Sequence, residues 1–230
     1  MSILSKVNKN LTSKEQFFFI KNCGSWIDEE IQLELFCSVL TKITSPTPCM
    51  VELGSAGIEG SYYSVLFEKW FDSKCFNICT EVRKDAIEAA IKDWEGLHLL
   101  NSKSYHGYNG EWSGWQDGSV KPPDVKRLYV EDLLKENNTK RVDLLHVDIQ
   151  GSEKSLCEEL ESYNLYKNIH FLFISVHGGI DNTGVCFSRQ DTLNYCKRII
   201  DRNIKVNYIF ADPEKGGHGD GLLVVENLEF

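Results

Sequence analysis

The stretch Met50-Val-Glu-Leu-Gly-Ser-Ala-Gly-Ile-Glu-Gly60 decides the fold, because it has the pattern of a buried strand that opens into a glycine turn. Val51 and Leu53 continue an apolar run in which Glu52 is the lone charge. Glycines at positions 54, 57 and 60 permit a tight bend, and the residues after position 60 predict a helix. A strand, a glycine turn and a helix at this spacing predict the first unit of a nucleotide-binding α/β sheet.

The glycine turn does not match the pattern that binds a dinucleotide. A Gly-x-Gly-x-x-Gly pattern starting at Gly54 needs glycines where the chain has Ala56 and Glu59. Glu59 also brings a negative charge to the helix N-terminus, where a pyrophosphate should lie. S-Adenosylmethionine has a sulfonium cation and no phosphate, so the turn favours this cofactor over NAD. The residues predicted to contact it are Glu52, Gly54, Ser55, Ala56 and Gly57.

A second cofactor contact is predicted at the end of the next strand. The β-prone run Phe76–Glu81 ends in a carboxylate and is followed by a helical stretch. A carboxylate at this place can accept hydrogen bonds from both hydroxyls of a ribose. The alternative is that Glu81 is a solvent-exposed acid at a strand end.

The rest of the chain alternates between strands and helices. Strands are predicted at 49–53, 76–81, 97–101, 142–148, 169–176, 204–211 and 221–226, and helices at 61–71, 84–94, 152–163 and 188–202. This alternation predicts an α/β fold with a doubly wound, mostly parallel seven-stranded sheet. Only a short loop joins the last two strands, so the final strand should run antiparallel. Residues 1–48 are expected to form an N-terminal helical cap on a single domain at 49–230.

Composition narrows the classes of function. With 230 residues and 42% hydrophobic content the chain can bury one substantial core. The formal charge of −9 argues against a nucleic acid partner, which demands basic surface. No apolar run has membrane-spanning length and no signal peptide is evident, so a cytoplasmic protein without a membrane partner is expected. The oligomeric state is left open.

The stretch Val142-Asp-Leu-Leu-His-Val-Asp-Ile-Gln-Gly-Ser-Glu153 resembles the signature strand and turn of FkbM-type methyltransferases. That family shows Asp-hydrophobic-Leu-Lys-hydrophobic-Asp-hydrophobic-Glu-Gly-x-Glu, in which Lys and Glu are replaced here by His146 and Gln150. The segments Leu128–Leu134 and Phe173–His177 also resemble the family, so the resemblance covers about residues 49–180.

The resemblance implies a class I methyltransferase fold and an S-adenosylmethionine-dependent enzyme that methylates a hydroxyl of a sugar or a natural product. The variant His-Val-Asp-Ile-Gln-Gly is similar to sugar O-methyltransferases, which favours a sugar or glycan acceptor. The two departures leave the acceptor open, together with a requirement for a divalent metal such as Mg²⁺ or Mn²⁺. A methyltransferase-like binding protein without activity is a further alternative, whereas Ala56 and Glu59 disfavour a nucleotide-sugar dehydrogenase.

Candidate catalytic residues lie where the predicted strands end, because parallel strands bring their carboxyl ends to one edge of the sheet. His177 is the predicted general base, since histidine exchanges a proton near neutral pH; the alternative is an imidazole bonded to backbone. Asp148 should orient that base, bind the acceptor hydroxyl or hold a divalent cation, or instead cap the helix near Ser152. His146 is expected to be a satisfied core histidine rather than a ligand.

Two loops are candidates for acceptor binding. The long break at 102–126 contains Tyr105, Trp112 and Trp115, aromatic side chains of the kind that stack on sugar rings. It is predicted to form an acceptor lid, although the tryptophans would also serve to fix a loop to the core. His218 and Asp220 lie in the loop before the last strand and should face the acceptor, unless that loop is only a glycine hairpin.

Overall fold

The computed structural model of the chain describes residues 30–54, 62–97, 101–111, 125–180, 184–217 and 220–230. Its helices are α1 (Glu30–Lys42), α2 (Tyr62–Trp70), α3 (Lys84–Leu97), α4 (Val130–Glu136), α5 (Glu153–Ser162) and α6 (Arg189–Asn203). Its strands are β1 (Cys49–Leu53), β2 (Phe76–Glu81), β3 (Ser102–His106), β4 (Val142–Val147), β5 (Ile169–Val176), β6 (Gly179–Ile180), β7 (Cys186–Phe187), β8 (Val206–Gly217) and β9 (Asp220–Asn227).

Seven of these strands form one sheet in the order β3-β2-β1-β4-β5-β9-β8. The strands from β3 to β5 pair in parallel, and β9 pairs antiparallel with both β5 and β8. The predicted doubly wound, mostly parallel sheet with an antiparallel last strand is therefore confirmed. The strand order reverses between β1 and β4, and a crevice for a ligand forms at such a point beyond the carboxyl ends of the strands.

The central strands are buried on both faces, which explains why they are almost continuously apolar. Val51 and Leu145 pack in the layer that includes α4, α5 and α6, whereas Met50 and Leu144 pack towards α1 and α2. In this second layer Phe36 of α1 is completely buried. The part of the predicted N-terminal cap that the structure describes is thus a helix on the sheet, and residues 1–29 lie outside the described residues.

The third strand differs from the prediction. It occupies Ser102–His106 rather than 97–101, so the predicted long loop in fact begins with the edge strand β3. The mostly apolar run Leu97-His-Leu-Leu100 has the pattern of a buried strand, and the prediction placed the strand there. The observed strand β3 is polar because it lies at the edge of the sheet. The short helix α4 at Val130–Glu136 lies in a region for which no element was predicted.

Two features follow β5 and shape the edge of the sheet at which it ends. The two-residue strands β6 and β7 form a small antiparallel ribbon directly after His177 and Gly178. Helix α6 then begins with a capping box, in which Ser188 and Asp191 satisfy each other's backbone amides. Within the described residues, no helix is long and apolar enough to cross a membrane.

Candidate active site

The ends of β1 and β4 touch through their backbones at the point where the strand order reverses. The amide of Asp148 donates to the Leu53 carbonyl over 2.8 Å, and the amide of Gly54 donates to the Thr80 carbonyl over 3.1 Å. Gly54 has a φ of +79°, and a Cβ at this residue would lie 1.8 Å from the Asp148 carbonyl oxygen. Only glycine fits here, so the chain leaves β1 in a fixed direction towards the predicted cofactor turn.

Glu52 is the residue before Leu53 in β1, and its side chain faces the layer of α1 and α2. It is only 2% exposed, and its carboxylate accepts hydrogen bonds from the hydroxyl of Ser64 and, at 3.7 Å, from the thiol of Cys79. Burial raises the pKa of Glu52 to about 7, against the opposing effect of these hydrogen bonds. The other predicted turn residues, Ser55, Ala56 and Gly57, lie outside the described residues.

Glu81 ends β2, on the strand that neighbours β1. The side chain is 5% exposed, so the alternative of a solvent-exposed acid is wrong. Its Oε1 atom accepts a hydrogen bond from the Arg83 amide over 2.7 Å, and burial raises the pKa of Glu81 to about 7. A fixed, buried carboxylate beside the Gly54 turn fits the ribose of an adenosyl cofactor.

A histidine surrounded by acids lies at the same edge of the sheet, one strand beyond β4. His177 follows β5 and is 1% exposed. Its Nδ1 atom lies 2.7 Å from Glu153 Oε1, and its Nε2 atom lies 3.2 Å from Asp220 Oδ2 and 3.4 Å from Asp148 Oδ1. The structure therefore brings together the predicted residues Asp148, His177 and Asp220, while His218 lies outside the described residues. We call the side chains of Asp148, Glu153, His177 and Asp220 the acid–histidine cluster.

The cluster fixes the charge of its histidine. Burial alone lowers the pKa of an imidazole, but the carboxylates of Glu153, Asp220 and Asp148 raise the pKa of His177 well above its ordinary range. The three carboxylates therefore favour the protonated form of the ring. Burial in the crevice and the neighbouring Asp220 and Glu153 raise the pKa of Asp148, which His177 opposes, although 38% of the Asp148 side chain is accessible.

Glu153 was not among the predicted site residues. It is the first residue of α5 and is completely buried, and it also accepts a hydrogen bond from the Gly151 amide over 3.2 Å. The sequence signal was its match to the last acid of the family motif. The alternative that Asp148 caps α5 is wrong, because Ser152 is the N-cap residue and Asp148 accepts a hydrogen bond from Gln150 Nε2 over 3.1 Å.

Residues 59–201 match the methyltransferase FkbM domain family. The chain belongs to this family. It is therefore a methyltransferase, and S-adenosylmethionine is the cofactor for which the Gly54 turn and Glu81 are suited.

Solved structures of other methyltransferases share the fold of this FkbM-family chain at low identity. The METTL16 MTase domain is 14% identical, with a TM-score of 0.54 over 86% of this chain and 68% of that one. An rRNA methylase from Streptococcus thermophilus is 9% identical, with a TM-score of 0.54 over 85% and 96%. A Streptococcus mutans protein described as a methyltransferase and solved with SAH is also 9% identical, with a TM-score of 0.53 over 85% and 97%. A search of curated protein sequences finds no match.

A second buried histidine of this FkbM-family methyltransferase contrasts with the first. His146 of β4 is 2% exposed and lies among aromatic rings, with the Tyr63 ring centroid at 4.3 Å and that of Phe173 at 5.5 Å. The prediction of a core position is confirmed, but the expectation that the ring is satisfied is wrong, because within the described residues neither ring nitrogen has a hydrogen-bond partner. Burial lowers the pKa of His146 to about 3. The 3.8 Å approach of its Nδ1 to Glu52 Oε1 is therefore not an ion pair at neutral pH.

The predicted acceptor lid is only partly described. Tyr105 lies in β3 rather than in a loop, and its half-buried hydroxyl exchanges hydrogen bonds with Asn137 at the end of α4. Trp112 and Trp115 lie outside the described residues. The predicted roles of all three in acceptor binding stay predictions.

Within the described ranges, no group of three or more histidine, cysteine, aspartate or glutamate side chains is arranged to hold a metal ion. The acid–histidine cluster is an internal ion-pair network, in which each carboxylate approaches the protonated ring of His177. The Mg²⁺ or Mn²⁺ that the sequence left open thus gains no support from this part of the chain.

Proposed function

We propose that this methyltransferase transfers the methyl group of S-adenosylmethionine to a hydroxyl of a sugar or glycan. The observation that carries the proposal is the acid–histidine cluster, which lies next to the Gly54 turn at the switch point of the sheet. A hydroxyl is a weak acid, so its methylation requires a group that removes the proton. The cluster offers carboxylates for this purpose at the strand ends where a ligand crevice forms.

The cofactor site in this proposal consists of the glycine turn and Glu81. S-Adenosylmethionine supplies an electrophilic methyl carbon. Gly54 lets the chain turn away from β1, Ser55, Ala56 and Gly57 contact the cofactor, and Glu81 accepts hydrogen bonds from the ribose. Glu52 supports the turn from below through Ser64, the third residue of α2.

The proton of the acceptor passes to a carboxylate of the cluster. The sequence predicts His177 as the general base, but this residue already carries a proton and is almost inaccessible, so in this proposal the base is a carboxylate instead. Asp148 and Asp220 are 38% and 27% exposed in their side chains and face the crevice from two sides of the ring. The environment of Asp148 raises its pKa, which makes it a stronger base than an ordinary carboxylate. His177 then stabilises the pair of acids as their counter-charge.

Three features support a sugar as the acceptor. Paired carboxylates such as Asp148 and Asp220 suit the neighbouring hydroxyls of a sugar, because an ionised carboxylate only accepts hydrogen bonds. The formal charge of −9 favours a neutral acceptor over a nucleic acid. The segment around Trp112 and Trp115 supplies aromatic rings for stacking. A cytoplasmic site of action, on a sugar precursor or glycan made there, is part of the proposal.

The first test measures binding of the cofactor and does not depend on the identity of the acceptor. Calorimetric titration with S-adenosylmethionine, S-adenosylhomocysteine and NADH should show binding of the two adenosyl ligands only. Glu81→Ala should weaken that binding at least about tenfold, because it removes a charge-assisted ribose contact. Titrations with and without Mg²⁺ or Mn²⁺ test the metal requirement.

The second test is a methyl-transfer assay with radiolabelled cofactor on deoxysugar glycans, free sugars and hydroxylated natural products. Labelled sugar supports the proposal. Label found only in natural products overturns the sugar acceptor. Binding of the adenosyl ligands without transfer to either class favours the alternative of an inactive binding protein.

A further inference from the structure

The acid–histidine cluster contains one member that cannot reach the acceptor. Glu153 is completely buried, whereas the side chains of Asp148 and Asp220 are 38% and 27% exposed. Its Oε1 atom accepts from the Gly151 amide over 3.2 Å and lies 2.7 Å from Nδ1 of His177, the shortest of the three acid contacts of that ring. The amide of Gly151, in the turn before α5, and the ring of His177 together hold the carboxylate in place. Burial of a carboxylate costs free energy unless it is paired, and Glu153 is too deeply buried for contact with substrate to explain its presence.

The other polar groups near His177 do not hold its ring through Nδ1. The hydroxyl of Thr192 in α6 donates to the His177 carbonyl over 2.8 Å and so anchors its backbone. Lys154, the neighbour of Glu153, is directed away towards the Phe187 ring, whose centroid lies 3.7 Å from Nζ. The hydrogen bond with Cys157, then burial, and to a smaller extent the charge of Glu153 raise the pKa of the Cys196 thiol well above its ordinary value, so that thiol stays protonated. Glu153 is therefore the one group in the described residues that fixes the Nδ1 side of the ring.

We propose that Glu153 is the positioning residue of the active site, because it holds His177 through Nδ1 as an imidazolium whose Nε2–H is directed between Asp148 and Asp220. The hydrogen bond made by one ring nitrogen of a histidine sets the state of the other. With Nδ1–H donated to Glu153, the positive charge of the ring is presented to the two acids that border the crevice. A ring held in this orientation lies between the two acids and keeps them at a fixed separation, ready to receive the proton of the acceptor.

This inference rests on the proposed function for the role of the two aspartates, but its central statement concerns the protein without acceptor. The proton on His177 can be observed directly by NMR of the histidine ring, in protein saturated with S-adenosylhomocysteine. A failed acceptor assay would leave this readout unaffected, so the two proposals fail separately.

Glu153→Gln is the decisive variant, since glutamine keeps an acceptor oxygen near Nδ1 and removes the charge. In the wild-type protein we expect the His177 ring to remain protonated between about pH 5 and 8, where an ordinary histidine titrates. In Glu153→Gln the ring should titrate within this range. Methyl transfer to an acceptor found in the assay should fall about 10²-fold in kcat, with little change in KM for S-adenosylmethionine. Glu153→Asp, which restores the charge, should recover part of both effects.

Glu159→Gln is the matched control. Glu159 is another buried acid of α5, but it accepts hydrogen bonds from the Val130 amide and from Arg127, away from His177. Its substitution should destabilise the protein without moving the titration of His177. The proposal is overturned if His177 of the wild-type protein titrates like an exposed histidine, or if Glu153→Gln and Glu159→Gln leave its titration equally unchanged.

Discussion

Two buried histidines of this methyltransferase, His146 within β4 and His177 just beyond the end of β5, are almost equally inaccessible, yet the first is held neutral and the second is held protonated. His177 faces three carboxylates and its pKa is raised, whereas His146 faces aromatic rings and its pKa is lowered to about 3. Burial by itself penalises the imidazolium in both places. The difference shows that partners, and not depth, decide whether a buried histidine is charged.

The contrast follows from position along the strands. His146 lies within β4, paired in register with Glu52 of β1, where its side chain enters the apolar layer of α1 and α2. His177 lies just beyond the end of β5, where the turn after β4 and the start of β9 bring acids to it. The same residue type therefore lies in the packed interior in one case and at the edge of the sheet with the candidate active site in the other.

The largest difference between the two histidines is expected when each of them is replaced. His177→Ala leaves Glu153 buried without its counter-charge, so methyl transfer should fall by roughly 10²- to 10⁴-fold. The same variant should lose about 3–5 kcal/mol of unfolding free energy, as expected when one partner of a buried ion pair is removed. His146→Phe should retain nearly full activity. Initial rates and urea unfolding of both variants are the measurements, and equal losses of activity would contradict the distinction between the two sites.

The pH dependence of stability should sharpen the comparison next. The unfolded state protonates His146 near pH 6.5 and the folded state only near pH 3, so the folded protein loses stability as the pH falls through this interval. Glu52 has the opposite sign, because its folded pKa of about 7 lies above its unfolded value near 4.5. Between the two unfolded pKa values, the change of stability with pH due to His146 and that due to Glu52 cancel each other.

His146→Phe removes one half of that balance and keeps the aromatic packing. Relative to the wild-type protein, the variant should gain about 1.4 kcal/mol per pH unit as the pH is lowered from 6.5 towards 3. Urea unfolding at several pH values measures this difference. Parallel curves for the two proteins would show that His146 is not held neutral in the fold.

The smallest effect is expected at the partner of Glu52. Ser64→Ala removes the hydroxyl that donates to the buried carboxylate, which should cost about 1 kcal/mol above pH 7, where Glu52 is ionised. Below pH 6 the cost should be smaller, because that hydrogen bond favours the charged form. The control is Ser162→Ala, whose hydroxyl bonds to the Glu158 carbonyl on the exposed side of α5. A loss for Ser64→Ala that does not change with pH would contradict an ionisable Glu52.

The sequence predicted those parts of the molecule in which a single physical demand dominates. The central strands are covered on both faces and so are almost continuously apolar, and the missing helix before the last strand requires the antiparallel β9. The meeting of Asp148, His177 and Asp220 followed from the rule that strand ends share one edge of the sheet. These predictions needed no knowledge of side-chain packing.

The other features depend on contacts that a linear pattern does not contain. The polar strand β3 was misplaced because an edge strand lacks the apolar signal of a buried one, and Tyr105 was therefore assigned to a loop. Glu153 resembles any acid in the first turn of a helix, where the helix dipole alone would explain it. His146 and His177 both follow apolar runs, and only their partners, aromatic rings for His146 and carboxylates for His177, separate their charge states.

The contact between Gly54 and Asp148 has a consequence for any attempt to change the acceptor range of this enzyme by directed evolution. The two halves of the active site meet through main-chain atoms, with a hypothetical Cβ on Gly54 only 1.8 Å from the Asp148 carbonyl oxygen. A library that randomises Gly54 would consist almost entirely of misfolded members. Diversity belongs instead in the β6–β7 ribbon, which follows His177 and Gly178 directly and takes no part in the contact between Gly54 and Asp148.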